Sequence, residues 1–186
     1  MDKGFNFRET AGYVTDGTDE TYVLREAYPV TRNGITFGWD NLNVTPLNKN
    51  ASNDRRLAGV AFANASGASH TFRADLPASG NYTVHLALGF PDGGGDASNT
   101  ATVKDNTSTL ATINYSAVTA QRFTDATEVM LTEVTWPTTE AGIDLAFSST
   151  VFNLEMASAT FWGLNHVRLV TTPVSGSGIV FNMQIG

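Results

Sequence analysis

Residues 71–90 read TFRADLPASGNYTVHLALGF, and this stretch decides the fold class. Phe72, Ala74 and Leu76 alternate with Thr71, Arg73 and Asp75; beyond a turn at Pro77-Ala78-Ser79-Gly80 the apolar positions resume at Tyr82, Val84, Leu86, Leu88 and Phe90. A period of two puts every second side chain on one face of a strand, and Pro and Gly interrupt the run. The stretch therefore predicts two antiparallel strands joined as a hairpin. No charge interrupts the second strand from Tyr82 to Phe90, which places it centrally in a sheet and over a core.

The pattern repeats in both directions. Upstream, Phe5 and Phe7 alternate in a first strand, residues 10–20 form a polar loop around Asp16-Gly17, and residues 21–27 read as a second strand ending before Tyr28-Pro29. The Asn33-Gly34 turn leads into a strand with Ile35, Phe37 and Trp39 on one face. Residues 41–54 read as a long loop, and order resumes at Leu57, Val60 and Phe62. Downstream, the glycine-rich residues 91–99 exclude a regular element, residues 100–104 and 108–115 form a hairpin about Asp105-Asn106, and residues 116–125 read as a connection. Strands are predicted over 128–136, at Ile143, Leu145 and Phe147, over 151–158 and over 160–170. About ten short strands at this spacing predict an all-β fold, a two-sheet antiparallel β-sandwich of the jelly-roll kind.

Three segments carry a family resemblance: FRADLP followed by YTVHLALG, YPVTRNGITFGWDN at 28–41, and IDLAFSST with FWGLNHVRLV at 143–150 and 161–170. In this order they resemble the galactose-binding-domain-like jelly rolls, which include malectin-like domains and many carbohydrate-binding modules. The resemblance spans residues 4–171 and rests on pattern, with no catalytic motif in it. It implies a sandwich that binds glycan, and a structural calcium as the metal to look for.

Composition narrows the function. A chain of 186 residues suits one domain, since a chain of this size removes roughly 70% of its unfolded surface from water. The net charge is −7 and the basic residues are scattered, so the dense positive charge that nucleic acids and anionic membranes require is missing. Without cysteine there is no disulfide framework, thiolate zinc site or thiol nucleophile. Met1-Asp2-Lys3-Gly4 runs straight into FNFR without a basic-then-apolar leader, so synthesis in the cytosol is expected, or secretion if a signal peptide has been removed.

Catalytic signatures are missing. There is no G-x-S-x-G elbow, and His70, His85 and His166 fall in strands or at a strand start, where half-exposed sheet positions are expected rather than general bases. No enzyme is therefore expected, and no cofactor. Asp92 and Asp96 in PDGGGDASN have calcium-ligand chemistry without an established calcium spacing. For glycan, which is held by aromatic faces and by amide, carboxylate or guanidinium groups, the candidates are Tyr13, Trp39, Asp40, Asn41 and Arg122. Trp162 and Phe37 read as core rings, whereas Trp39 and Tyr13 fit either role.

After residue 172 the composition changes. Ser175-Gly176-Ser177-Gly178 reads as a flexible linker, and Ile179, Val180, Phe181, Met183 and Ile185 form an apolar arm. The expected organisation is a sandwich over 1–172 with an arm over 173–186. Such an arm needs cover, provided either by strand addition to another copy or to a neighbouring subunit, or by folding back onto its own sandwich as an edge strand. Taken together, the sequence predicts a non-catalytic interaction protein made in the cytoplasm of a host and built into a virus particle, a decoration or fibre-associated subunit of a bacteriophage. The alternative is a carbohydrate-binding module of a secreted polysaccharide-degrading enzyme.

Overall fold

The computed structural model describes residues 1–10, 20–48, 59–63, 67–90, 94–117, 121–124, 127–128, 142–158 and 161–172, with the backbone alone at 20, 121–124 and 127–128. Among these residues lie fifteen strands: β1 (Asp2–Phe7), β2 (Glu20–Val23), β3 (Val30–Arg32), β4 (Ile35–Trp39), β5 (Val44–Asn48), β6 (Gly59–Ala63), β7 (His70–Asp75), β8 (Gly80–Leu88), β9 (Asn99–Asp105), β10 (Ser108–Tyr115), β11 (Gln121–Thr124), β12 (Thr127–Glu128), β13 (Ile143–Phe147), β14 (Val151–Ser158) and β15 (Leu164–Thr171). The first sheet runs β12-β11-β8-β15-β1-β2, with β13 on residues 80–84 of β8 and the β5–β6 pair joined to β15 at Leu164. The second runs β10-β9-β14-β7-β4-β3. Only β1 and β2 pair in parallel among the named strands; the predicted antiparallel sandwich is what forms.

The core fills because both sheets turn their alternate apolar residues toward each other. Phe37, Trp39, Phe72, Ala74, Phe152 and Leu154 enter from the second sheet, and Phe5, Phe7, Val84, Leu86, Val167 and Leu169 from the first. Phe72 sits at the centre, with ring centroids 5.2 Å from Phe5, 5.0 Å from Phe7 and 5.6 Å from Trp39, all edge to face. This geometry sets the positive edge of one ring against the negative face of the next.

Residues 71–90 do not form a hairpin. β7 lies between β14 and β4 in the second sheet, while β8 pairs with β15, β11 and β13 in the first. Residues 76–79 carry the chain across from one sheet to the other. Both sides of this arch are tied to distant strand ends: Leu76 N–H donates to Thr150 O at 2.8 Å and Thr172 N–H to Asn81 O at 3.0 Å. An arch and a hairpin bury the same alternate residues in one core, so the period of two does not distinguish them.

Two further expectations need correction. The loop predicted over 41–54 contains β5, whose Val44 is fully buried. Pro46 is tolerated there because β5 is an edge strand, paired among the described residues with β6 alone. Residues 121–124, read as part of a connection, form β11 against β8. The β9–β10 hairpin stands as predicted, with Asn106 at φ 54° in its turn. Of the strand predicted over 128–136 only Glu128, in β12, lies within the described residues.

The histidines are not half-exposed. His70, His85 and His166 are 3%, 4% and 0% exposed. The outer face of β8, β15 and β1 is itself covered, with Asn6, Arg8 and Arg168 also buried. Gly142 shows how closely the chain lies there: a β-carbon on it would fall 2.4 Å from Thr83 Cγ2 and 2.9 Å from His85 Cε1. Burial first, then Arg168 and His166, lower the His85 pKa from 6.5 to about 4, against the opposing pull of Asp2 and Asp144.

Between these two pH values the unfolded chain binds a proton that the folded chain refuses. Stability is therefore full above pH 6.5 and falls as the pH drops toward 4, by roughly 2–3 kcal/mol from this group. Urea unfolding at pH 7.0 and pH 4.5 should show this difference, and His85→Gln should flatten it. An unchanged slope in the variant would assign the acid sensitivity to another group.

Candidate functional site

The outer face of the second sheet acquires a wall through one glycine. A β-carbon on Gly38, in the middle of β4, would fall 2.4 Å from Tyr28 N and 2.6 Å from Tyr28 Cα, and its φ of +151° is one that L side chains rarely adopt. The segment before β3 uses that gap. Trp39 N–H donates to Glu26 O and Tyr28 N–H to Trp39 O, both at 2.9 Å, while Ala27 bridges Trp39 in parallel. Tyr28 is thereby carried onto the outer face, where its half-exposed ring stands beside β7.

Asp75 fixes that ring. Tyr28 Oη donates to Asp75 Oδ2 at 2.9 Å, and Arg73 donates to Asp75 Oδ1 through Nε at 3.1 Å and Nη2 at 3.0 Å. The Arg73 guanidinium carbon lies 4.1 Å from the Tyr28 ring centroid, a cation–π contact. Burial, and then the bond to Asp75, raise the Tyr28 pKa, so the phenol stays a neutral donor. The cross-strand register extends this group into a polar band, Gly38 beside Arg73, Arg73 beside Asn153, and Asn153 beside Lys104. Lys104 pairs with Glu155 at 2.5 Å, and Asn153 Nδ2 donates to Asn106 O at 2.6 Å. Tyr28, Trp39, Asp40, Thr71, Arg73 and Asn153 line an open cleft of about 320 Å³ on this face.

A half-exposed ring, a guanidinium, an amide, a hydroxyl and a carboxylate thus converge, the ring and the guanidinium held by Asp75 and the amide by Asn106 O. Such a set matches the surface of a sugar, whose C–H faces pack on rings and whose neighbouring hydroxyls bridge planar polar groups.

The predicted site residues separate. Trp39 lines the bottom of the cleft yet is 1% exposed, stacked on Trp162, and is a core ring rather than a binding platform. Its parity explains this, since Ile35, Phe37 and Trp39 all face inward. Asp40 is exposed at the cleft, 3.4 Å from His70 Nδ1. Asn41 does not line it: its amide nitrogen lies 3.0 Å from His70 Nδ1, and its Oδ1 accepts Asn43 N–H at 2.8 Å. Arg122 is in β11 of the other sheet, paired with Ala87. Tyr13, Asp92 and the arm residues 179–185 lie outside the described residues. Asp96 Oδ2 accepts Phe161 N–H at 3.0 Å, and no group of three or more metal-ligating side chains occurs among the described residues.

Sequence reasoning missed Tyr28, Arg73 and Asn153. The available signal was Gly38, because a glycine inside a strand marks the close approach of another backbone. A second opening of about 560 Å³ lies where β9 begins and β10 and β14 end, lined by Asn99, Asn114, Tyr115, Ser158 and neighbours. Its one ring, Tyr115, is buried and shares its hydroxyl with Gly163, so this opening offers hydroxyls and amides without an aromatic face.

No protein-family model and no curated protein matches the sequence. Solved structures similar to the fold include the CBM36-1 domain of a multidomain xylanase from the hindgut metagenome of Trinervitermes trinervoides, at 9% identity over 62% of this chain and 81% of that one, with a TM-score of 0.39. Also similar are TmCBM61 in complex with beta-1,4-galactotriose (15%; 74% and 88%; TM-score 0.38) and CBM35 from Cellvibrio japonicus Abf62 (16%; 90% and 93%; TM-score 0.38). These neighbours are carbohydrate-binding modules with a jelly-roll fold. At such identities the likeness concerns the arrangement of strands alone.

Proposed function

We propose that the protein is a non-catalytic carbohydrate-binding domain whose ligand lies in the cleft on the outer face of the second sheet. The observation that supports this is the convergence of Tyr28, Arg73, Asn153 and Asp40 on one open surface, with Asp75 holding the ring and the guanidinium in place. In this reading Tyr28 packs on a sugar ring, while Arg73, Asn153 and Asp40 take pairs of hydroxyls. The single negative charge contributed by Asp40 beside the paired Arg73 suits a neutral glycan.

Titration calorimetry against a panel of soluble neutral polysaccharides tests it. Tyr28→Ala and Arg73→Ala should each weaken binding at least about tenfold, the scale of a lost ring or charge-assisted contact, with the far-ultraviolet dichroism unchanged. Binding by both variants at the wild-type level would remove the cleft from consideration, and a panel without any bound member would remove the glycan.

A second reading, a bacteriophage particle subunit made in the host cytoplasm, is favoured by one feature: the apolar run Ile179, Val180, Phe181, Met183 and Ile185 behind its Ser/Gly linker. The two readings are compatible, since a particle surface can hold sugars. The domain of a secreted polysaccharide-degrading enzyme remains the alternative setting for the same cleft.

A further inference from the structure

We infer that two copies of this chain pair through β10, antiparallel across a two-fold axis at Thr112, joining their second sheets into one. A free edge offers unpaired N–H and C=O groups to any passing strand, and folded chains blunt it with charge, proline or a bulge. Where side chains are described, the edge strands carry such a device: Arg32 in β3, Pro46 in β5 and Asp144 in β13. β10 is the exception. Its sequence STLATINY has neither charge nor proline, its bulge is confined to the end near Thr109, and among the described residues it pairs only with β9.

The strand is also self-complementary. A bulge between Thr109 and Ala111 leaves residues 111–115 in regular register with β9. Ala111 and Ile113 lie half-buried at the margin of the core, while Thr112 between them is exposed. Antiparallel pairing about Thr112 sets Thr112 against Thr112 of the second copy, and Ala111 against its Ile113. The inner face then gains apolar contact on both sides of the axis, and threonine meets threonine outside, a favourable cross-strand pair. A net charge of −7 opposes close approach of two copies in general. The charge-free edge is where that opposition is weakest.

Charge substitution at the axis tests the pairing and its register. The full chain should sediment as a dimer at about 100 µM, a concentration suited to a weak edge contact. Thr112→Lys and Thr112→Glu should each sediment as a monomer, because like charges then face each other across the axis. An equimolar mixture of the two should return to the dimer. Since Thr112 is exposed, neither variant should unfold, and circular dichroism checks this. A monomeric wild-type chain, or variants that each dimerise as the wild type does, would overturn the inference. A dimer lost in Phe181→Asp but kept in both Thr112 variants would overturn it too, by assigning the contact to the C-terminal arm. A failed glycan titration leaves this result untouched.

Discussion

Trp162→Ala should lower the unfolding free energy by about 3–5 kcal/mol, the range for emptying a large buried aromatic site. Trp162 is fully buried, and its ring stacks on Trp39 at 5.7 Å with 29° between planes. His70 meets it edge-on at 6.1 Å. Its indole N–H donates to Ala68 O at 3.1 Å, so truncation also removes the partner of a carbonyl in the turn before β7. Trp39→Ala should cost a similar amount, because Trp39 also packs on Phe7 at 5.5 Å and on Phe72 at 5.6 Å. The two rings share one contact, so the double variant should cost less than the sum. Urea unfolding followed by circular dichroism reads all three. A loss below about 1 kcal/mol for Trp162→Ala would mean that the ring can leave the core without a cavity.

Asp105→Ala should destabilise by about 2–4 kcal/mol, since it strips a charged acceptor from four donors at once. Asp105 ends β9 and takes the backbone N–H of Ser148 at 2.7 Å and of Ser149 at 3.1 Å, together with both serine hydroxyls. Ser149 Oγ in turn accepts Val151 N–H at 3.1 Å. One carboxylate thus holds the turn by which the chain passes from β13 in the first sheet to β14 in the second. The bonds from Ser148 and Ser149 pull its pKa from 3.8 down to about 2. With the folded pKa below the unfolded one, this stabilisation is present above pH 4 and is lost as the pH falls toward 2. Asp105→Asn keeps an acceptor without the charge and should retain part of the stability. If Asp105→Ala unfolds like the wild type at both neutral and acid pH, water replaces the carboxylate without cost and the clamp is ornamental.

Asp105 also shows where sequence reading stops. In the chain it is half of an Asp-Asn turn dipeptide, and it does form that turn; its principal partners lie 43 and 44 residues away, and no local spacing marks them. Alternation was enough to establish the sandwich and most of its core, because burial of every second residue is a local consequence of strand geometry. It set Trp39 on the same face as Ile35 and Phe37, and the adjoining Asp40-Asn41 at the strand end left a binding ring equally open. What alternation does not encode is which sheet a strand joins. The arch between β7 and β8 and the crossing of Tyr28 over Gly38 both turn on that choice. The cleft was therefore legible at Asp40 and at the glycine that admits Tyr28, but not at Arg73 and Asn153, whose meeting depends on pairing β7 with β14.

The pairing of β1 with β15 bears on how the chain is made. Asp2 and Arg168, 166 residues apart, form a two-pronged ion pair at 2.7 and 2.6 Å, and the Met1 ammonium donates to Thr171 Oγ1 at 2.6 Å. On a ribosome adding about 5–20 residues per second, Phe5 and Phe7 emerge on the order of ten seconds before the strand that completes their sheet. β2 can pair with β1 early, but it covers one edge and leaves the two rings without the opposing layer. Pairing of the first sheet therefore waits for β15, with long-range pairing as the slow step, and until that strand emerges Phe5 and Phe7 have no completed sheet around them.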